Sequence, residues 1–285
     1  MNERFLMTPR TPGQPAEVAA RPRGCCGFSL IELLVVMVVT MILAGILMPA
    51  LAGLRDQTDR IVSGSNMRQI GMGMTMYATD NLGRLPYSAL MHAGDPAFLQ
   101  EMMITYVEPS NLAELQEELE GNKDENAPRD LPFQLNLDVR GFDGIGLLYV
   151  NGYTSAPDIF YCPAHRGDHP LERYASAYEH PSGIIYSNYQ YRGDIDIDVD
   201  SGVRRALTLE RDANRVFLTD GIRTKRDFNH RVGYNSLLGD GSVWWRSDLE
   251  ERIYRMLPTE KMDGDQVADL YAHLWEIIDE TSEPY

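Results

Sequence analysis

One stretch limits what this chain can become. From Leu33 to Leu54 no residue is charged, and Thr40 is the only hydroxyl side chain. A helix over those residues is roughly 33 Å long at 1.5 Å rise per residue, enough to cross a hydrocarbon layer about 30 Å thick. Arg21 and Arg23 precede the run, and charges resume after it at Arg55 and Asp56. A single acidic residue, Glu32, stands at its mouth. A carboxylate that deep in a bilayer costs roughly 3 kcal/mol, so it is expected to face a partner rather than lipid. Just before it, Gly27 leaves its backbone accessible because it carries no side chain.

The order Gly27-Phe28-Ser29-Leu30-Ile31-Glu32-Leu33 resembles the cleavage and methylation site of type IV prepilins and of the pseudopilins of type II secretion. The resemblance implies that a prepilin peptidase/N-methyltransferase cuts after Gly27 and methylates the new amino group of Phe28. It makes Glu32 the fifth mature residue, paired with the free amine of a neighbouring subunit. Pro49 becomes the twenty-second, where many pilins carry a helix-breaking proline. Two rival readings remain. Ala50-Leu51-Ala52 before Gly53 has the small-residue pattern of an ordinary secretory signal, although the apolar run exceeds the usual 7 to 15 residues or so. A plain single-span anchor explains the hydrophobicity but not the order of residues at the mouth. Cys25 and Cys26 precede the apolar run, so they do not form a lipoprotein signal.

Charge is distributed unevenly. The formal net charge is -16, while residues 1–27 carry four arginines against Glu3 and Glu17, leaving the acidic excess to the rest. That asymmetry fits a cytoplasmic leader and an exported acidic body; the resemblance implies a single span in the bacterial inner membrane with the head in the periplasm. It argues against direct nucleic-acid binding, which needs clustered Lys and Arg. After cleavage only Cys162 would remain, so no intramolecular disulfide is possible. Many type IV pilins close a C-terminal loop with a disulfide, so this departure favours a pseudopilin or minor pilin-like protein.

The chain divides, on this reading, into a leader (1–27), a transmembrane and assembly helix (28–80), and an exported head (81–285). The expected fold class is α+β: a pilin-like long N-terminal helix packed on a small antiparallel sheet. Ile70, Met74 and Tyr77 form an apolar stripe on the outer half of the helix, suited to packing on the head. An acidic connecting region over 87–140 carries helical patterns at 97–107 and 111–120. Residues 141–169 read as a short helix, a turn and a strand. Strand patterns follow in a sheet at about 184–246: one at 184–192, the alternating Asp194-Ile195-Asp196-Ile197-Asp198-Val199-Asp200, and one at 215–218. Gly239-Asp240-Gly241 between two apolar runs marks a hairpin. Residues 265–279 form an amphipathic helix whose apolar face is Val267, Leu270, Tyr271, Leu274, Ile277 and Ile278.

Several side chains are candidates for chemistry. Nine residues separate His230 from Asp240-Gly241, and this H-x9-DG arrangement resembles a C-terminal signature of prepilin-like proteins with no established role. Related major pseudopilins bind calcium in C-terminal loops, which makes Asp220 and Asp240 candidate calcium ligands. Cys162, His165 and His169 have a C-x2-H-x3-H spacing that suits zinc, with His180 as a guess for the fourth ligand. The alternating aspartates do not fit an EF-hand loop. No nucleophile elbow, P-loop, H-E-x-x-H or dinucleotide fingerprint occurs.

The expectation is therefore a structural subunit without enzymatic activity or a certain cofactor. Its partners would be the peptidase, an inner-membrane secretion or pilus assembly platform, homologous subunits and its own copies. A membrane-tethered metal-binding protein or enzyme using His230, Asp220 and Asp240 is the alternative, as is a minor pilin for adhesion or DNA uptake.

Overall fold

The computed structural model describes residues 28–88, 141–179, 184–197, 204–262 and 266–281. The leader with Gly27, the acidic segment 89–140 with its two expected helices, His180 and Asp198–Asp200 lie outside the described residues. The chain forms two compact units, one ending at Ala50 and one beginning at Leu51.

Helix α1, Leu30–Asp80, contributes to both units. In the first, every side chain from Phe28 to Met48 is exposed. Leu30–Met48 has a mean hydropathy of 2.8 and is long enough to cross a membrane. A helix that is apolar on all its faces has no use for its surface in water. In the second unit, α1 becomes one-sided. Ser63, Met67, Ile70, Met74 and Tyr77 recur every three or four residues and are buried, whereas Arg68, Met72 and Met76 are exposed. The expected stripe thus packs into the head, lengthened by about two turns through Met67 and Ser63. Gly71 lets the helix approach the sheet: a Cβ there would lie 2.8 Å from Leu237 Cδ1. The helix ends with Gly83 N–H bonded back to the Ala78 carbonyl at 2.7 Å.

Short helices α2 (Gly146–Val150) and α3 (Leu171–Tyr174) come next in the described chain. The expected strand before His169 is instead a 3-10 turn, Pro157–Phe160. Proline at its first position favours that start and supplies no ladder donor.

The main sheet contains β1 (Tyr189–Tyr191), β4 (Val216–Asp220), β5 (Gly233–Leu238) and β6 (Val243–Ser247), in the order β1-β4-β5-β6 with every pair antiparallel. The hairpin lies where the sequence placed it, and its turn needs Gly241, whose φ is +83°. The strand expected at 184–192 shrinks to β1. From Ile185 to Arg192 only Tyr186 is partly open, so both faces are covered and alternation is a poor guide. The alternating aspartate segment forms β2 (Ile195–Ile197), paired with β3 (Arg204–Ala206) in a separate two-stranded sheet. Its Asp196 is not a free charged edge, since Arg205 and Arg215 both bind it.

Two apolar cores flank the main sheet. The α1 stripe, Phe160, Tyr161, Tyr189, Phe217 and Leu237 make one. Val216, Tyr234 and Leu238 make the other with α4 (Arg252–Met256) and α5 (Gln266–Glu280). An irregularity in the β4–β5 register between Val216 and Leu218 lies where β4 feeds both cores. As the amphipathic pattern predicts, α5 turns Val267, Tyr271, Leu274, Ile277 and Ile278 inward. Asp279 fastens its end, accepting from Val216 N at 3.0 Å and from Arg192 Nη1 at 2.7 Å. The head is α+β, and with α1 it agrees with a pilin-like fold.

Candidate functional site

Two places concentrate chemistry: the mouth of α1 and a cluster under its second half. At the mouth, Ser29 precedes the first helical residue and Glu32 is the third. The Ser29 backbone N–H donates to Glu32 Oε2 at 2.8 Å, and Leu33 N–H opens the helical ladder on the Ser29 carbonyl at 3.1 Å. This is half of a capping box, in which a third-position carboxylate reaches back to the cap residue. Glu32 therefore has an intramolecular partner in the single chain. Pro49 is assigned within α1, one residue before the unit boundary.

The second place joins remote parts of the chain. Cys162 follows the 3-10 turn, Asp220 ends β4, and His230 sits in the loop leading to β5. Cys162 Sγ lies 3.4 Å from His230 Nε2, and the same nitrogen lies 3.5 Å from Asp220 Oδ2. The side chains of His230 and Asp220 are only 4 % and 0 % exposed, so the cluster is internal.

Asp220 is its hub. Ser63 Oγ donates to Oδ1 at 2.8 Å; Asn235 donates to Oδ2 through its backbone at 2.6 Å and its side chain at 3.1 Å. Burial works against the carboxylate charge, but His230, the Asn235 N–H and Ser63 outweigh it and hold the carboxyl below its usual range. The Cys162 thiol is pushed well above its usual value by burial and then by the Asp220 charge. Trp245 meets the His230 ring edge-on at 5.4 Å, and Arg60 covers Trp245 at 4.0 Å.

The arrangement is unlike a nucleophile–base–acid triad. There the histidine uses one ring nitrogen for the nucleophile and the other for the carboxylate. Here a single nitrogen faces both, and the thiol is buried in its neutral form. A cavity of about 420 Å³ lies elsewhere, lined by Phe142, Tyr149, Val150, Thr154, Ser155, Tyr178 and Glu179.

The structure sorts the sequence candidates differently from their spacing. His165 Nδ1 contacts Asn229 Oδ1 at 2.7 Å. His169 has both ring nitrogens engaged, by the Tyr174 hydroxyl at 2.7 Å and Arg223 Nη1 at 2.5 Å. Neither joins Cys162 in a common ligand set, and a guanidinium against His169 disfavours a cation there. Asp240 is exposed at the hairpin tip, accepting from Ser242 N at 2.8 Å. Asp220 is bonded to Asn235 of β5, and the three strand steps from there to Leu238 cover about 10 Å, with Asp240 farther on in the turn. The two candidate calcium ligands are thus not brought together. Among the described residues, the one group with metal-ligand spacing is Cys162, Asp220 and His230.

Sequence reasoning missed Ser63, Asn229 and Asn235. Ser63 had a signal: it occupies a buried position of the α1 stripe with a hydroxyl. Asn229 and Asn235 adjoin His230 and the hairpin strand, without spacing that marks them.

The histidines next to the cluster make stability pH-dependent. Burial first, then the Arg223 guanidinium, pushes His169 down to about 3; burial also lowers His165. Both are neutral when folded and take up protons when unfolded. Their contribution is therefore intact above about pH 6.5, the ordinary histidine value, and falls as pH drops toward 3. Urea unfolding between pH 7 and pH 4 should show falling stability, and His169→Gln should flatten the slope by at most about 1.4 kcal/mol per pH unit, one proton's worth. An unchanged slope would mean His169 titrates normally in the folded chain.

Residues 22–48 match the family model of the prokaryotic N-terminal methylation motif. No curated protein and no solved structure matches the chain. Over these residues the chain is similar to prepilins: the motif runs into an apolar helix long enough to cross a membrane, and an α+β head follows. Such a motif implies processing by a prepilin peptidase and assembly with other pilin-like subunits.

Proposed function

We propose that this protein is a structural subunit of a pseudopilus or related filament, of the kind used in type II secretion, and that it is not an enzyme. The observation that carries the reading is the methylation motif placed directly at the mouth of an apolar helix exposed on every side. In this reading a prepilin peptidase cuts after Gly27 and methylates Phe28. The chain waits in the inner membrane with its head in the periplasm, then enters the filament through α1. Burial of the Leu33–Leu54 surface among like helices drives packing, and Gly45 allows close approach. Glu32 guides register. The acidic head argues for contacts with proteins of the machine rather than with nucleic acid.

The test is the mass of the mature N-terminus from native membranes. A chain beginning at methylated Phe28 supports the proposal. A start at Gly53 would make this an ordinary exported protein, and an intact Met1 a simple membrane anchor; either result ends the filament reading.

A further inference from the structure

We propose that Cys162, His230 and Asp220 form a binding site for one zinc ion, which clamps three separate segments of the head beneath helix α1. The three ligand atoms lie within 4.8 Å of one another. A tetrahedral zinc with bonds of about 2.3 Å to sulfur and about 2.0–2.2 Å to nitrogen and oxygen has S···N and N···O edges of roughly 3.4–3.6 Å. The observed edges are 3.4 and 3.5 Å. A single imidazole nitrogen nearly equidistant from a sulfur and a carboxylate oxygen is the arrangement of a coordination vertex. A single N–H or lone pair cannot point well at both.

The donor set selects the metal. Thiolate with imidazole suits zinc and related borderline ions, while calcium asks for six to eight oxygens and finds one carboxylate here. Charge balances too: zinc with one thiolate, one carboxylate and a neutral imidazole is neutral, as an internal site requires. Binding displaces the thiol proton to solvent as the Zn–S bond forms.

The surroundings hold the ligands in place, as outer-shell groups do around metals. Ser63 and Asn235 fix the Asp220 carboxylate. Asn188 Oδ1 accepts from the Cys162 backbone N–H, and Asn229 Nδ2 bonds the Asn188 carbonyl at 3.0 Å. Trp245 sets the His230 ring. The fourth coordination position falls to a water or to the Ser63 hydroxyl. Such a clamp would join the Cys162 loop, the end of β4 and the His230 loop, which this chain cannot tie with a disulfide.

The experiment uses the full chain in detergent with Cys25→Ser and Cys26→Ser, so that Cys162 is the only thiol. After equilibration with zinc and removal of free ion, elemental analysis should find one zinc per chain. Cobalt in its place should give the intense tetrahedral d–d bands and the thiolate charge-transfer band of a Cys-ligated site. Cys162→Ser and His230→Ala should lower zinc content at least tenfold, with His165→Ala unchanged. The cobalt spectrum reads the site without any ligand variant, so misfolding of those variants does not shelter the idea. Absence of zinc uptake, a cobalt spectrum without a thiolate band, or equal uptake by Cys162→Ser would overturn it.

Discussion

Replacing Asp220 with alanine should cost the head about 3–5 kcal/mol, the range for stranding the partners of a buried charge. The side chain is wholly buried and accepts from Ser63 Oγ, Asn235 N and Asn235 Nδ2. Alanine leaves those donors facing a cavity, and each buried donor without a partner costs about 1–3 kcal/mol. Asp220→Asn should fail as well, since its amide turns N–H groups toward existing donors. Asp240→Ala is the contrast: its carboxylate is exposed and caps one turn N–H, so the loss should stay near 1 kcal/mol or below. Urea unfolding of the full chain with chelator present would separate this effect from any metal. A loss below 1 kcal/mol for Asp220→Ala would show that the hydrogen-bonded hub does not hold the head together.

The lowered carboxyl of Asp220 gives the same hub a pH signature. Its contribution is present above about pH 4, the ordinary carboxylate value, and is lost as pH falls through the lower folded value. Asp196 and Asp212 act in the same direction: arginine and backbone hydrogen bonds outweigh their burial and lower both. Acid unfolding below about pH 4 therefore adds to the histidine-linked loss at higher pH.

The contrast between Asp220 and Asp240 also marks what the sequence can disclose. Local patterns were legible. The α1 stripe, the Gly239-Asp240-Gly241 hairpin and the α5 face each depend on residues a few positions apart, and each is found in the structure. The bounds of β1 were not, because its residues are buried on both faces and alternation there says little about where the strand begins. The site depends on residues still farther apart. Ser63 reaches Asp220 across 157 positions, and Cys162 reaches His230 across 68. The spacing of Cys162, His165 and His169 suggested a local ligand set, yet the chain turns after Cys162 and sends both histidines to other partners. Likewise H-x9-DG joins His230 to a hairpin tip, while the carboxylate beside His230 is Asp220, ten residues earlier. Pairing of strands put it there, and spacing alone does not reveal that register.

At the other end of the chain, replacing Glu32 should abolish filament incorporation while leaving the head folded. Two roles of this carboxylate can be separated. In the single chain it caps its own helix through the Ser29 N–H. Losing that cap costs about 1 kcal/mol, too little to unmake a long helix held by a bilayer. In a filament it would instead lie in an apolar bundle near the free amine of Phe28 on a neighbour, where an unpaired charge is costly. Glu32→Gln keeps an oxygen able to accept from Ser29 but removes the charge. If charge pairing sets register, Glu32→Gln and Glu32→Ala should both be cleaved after Gly27, keep the head's unfolding midpoint, and fall at least tenfold in sheared filament fractions. Should Glu32→Gln assemble as well as wild type while Glu32→Ala does not, the carboxylate acts as a helix cap, and the register must be set by shape along Leu33–Leu54. Cleavage after Gly27 would free the Phe28 amine beside Ser29, where the cap contact is made, so the two roles would meet at one helix end: processing would turn an intramolecular cap into an intermolecular ion pair.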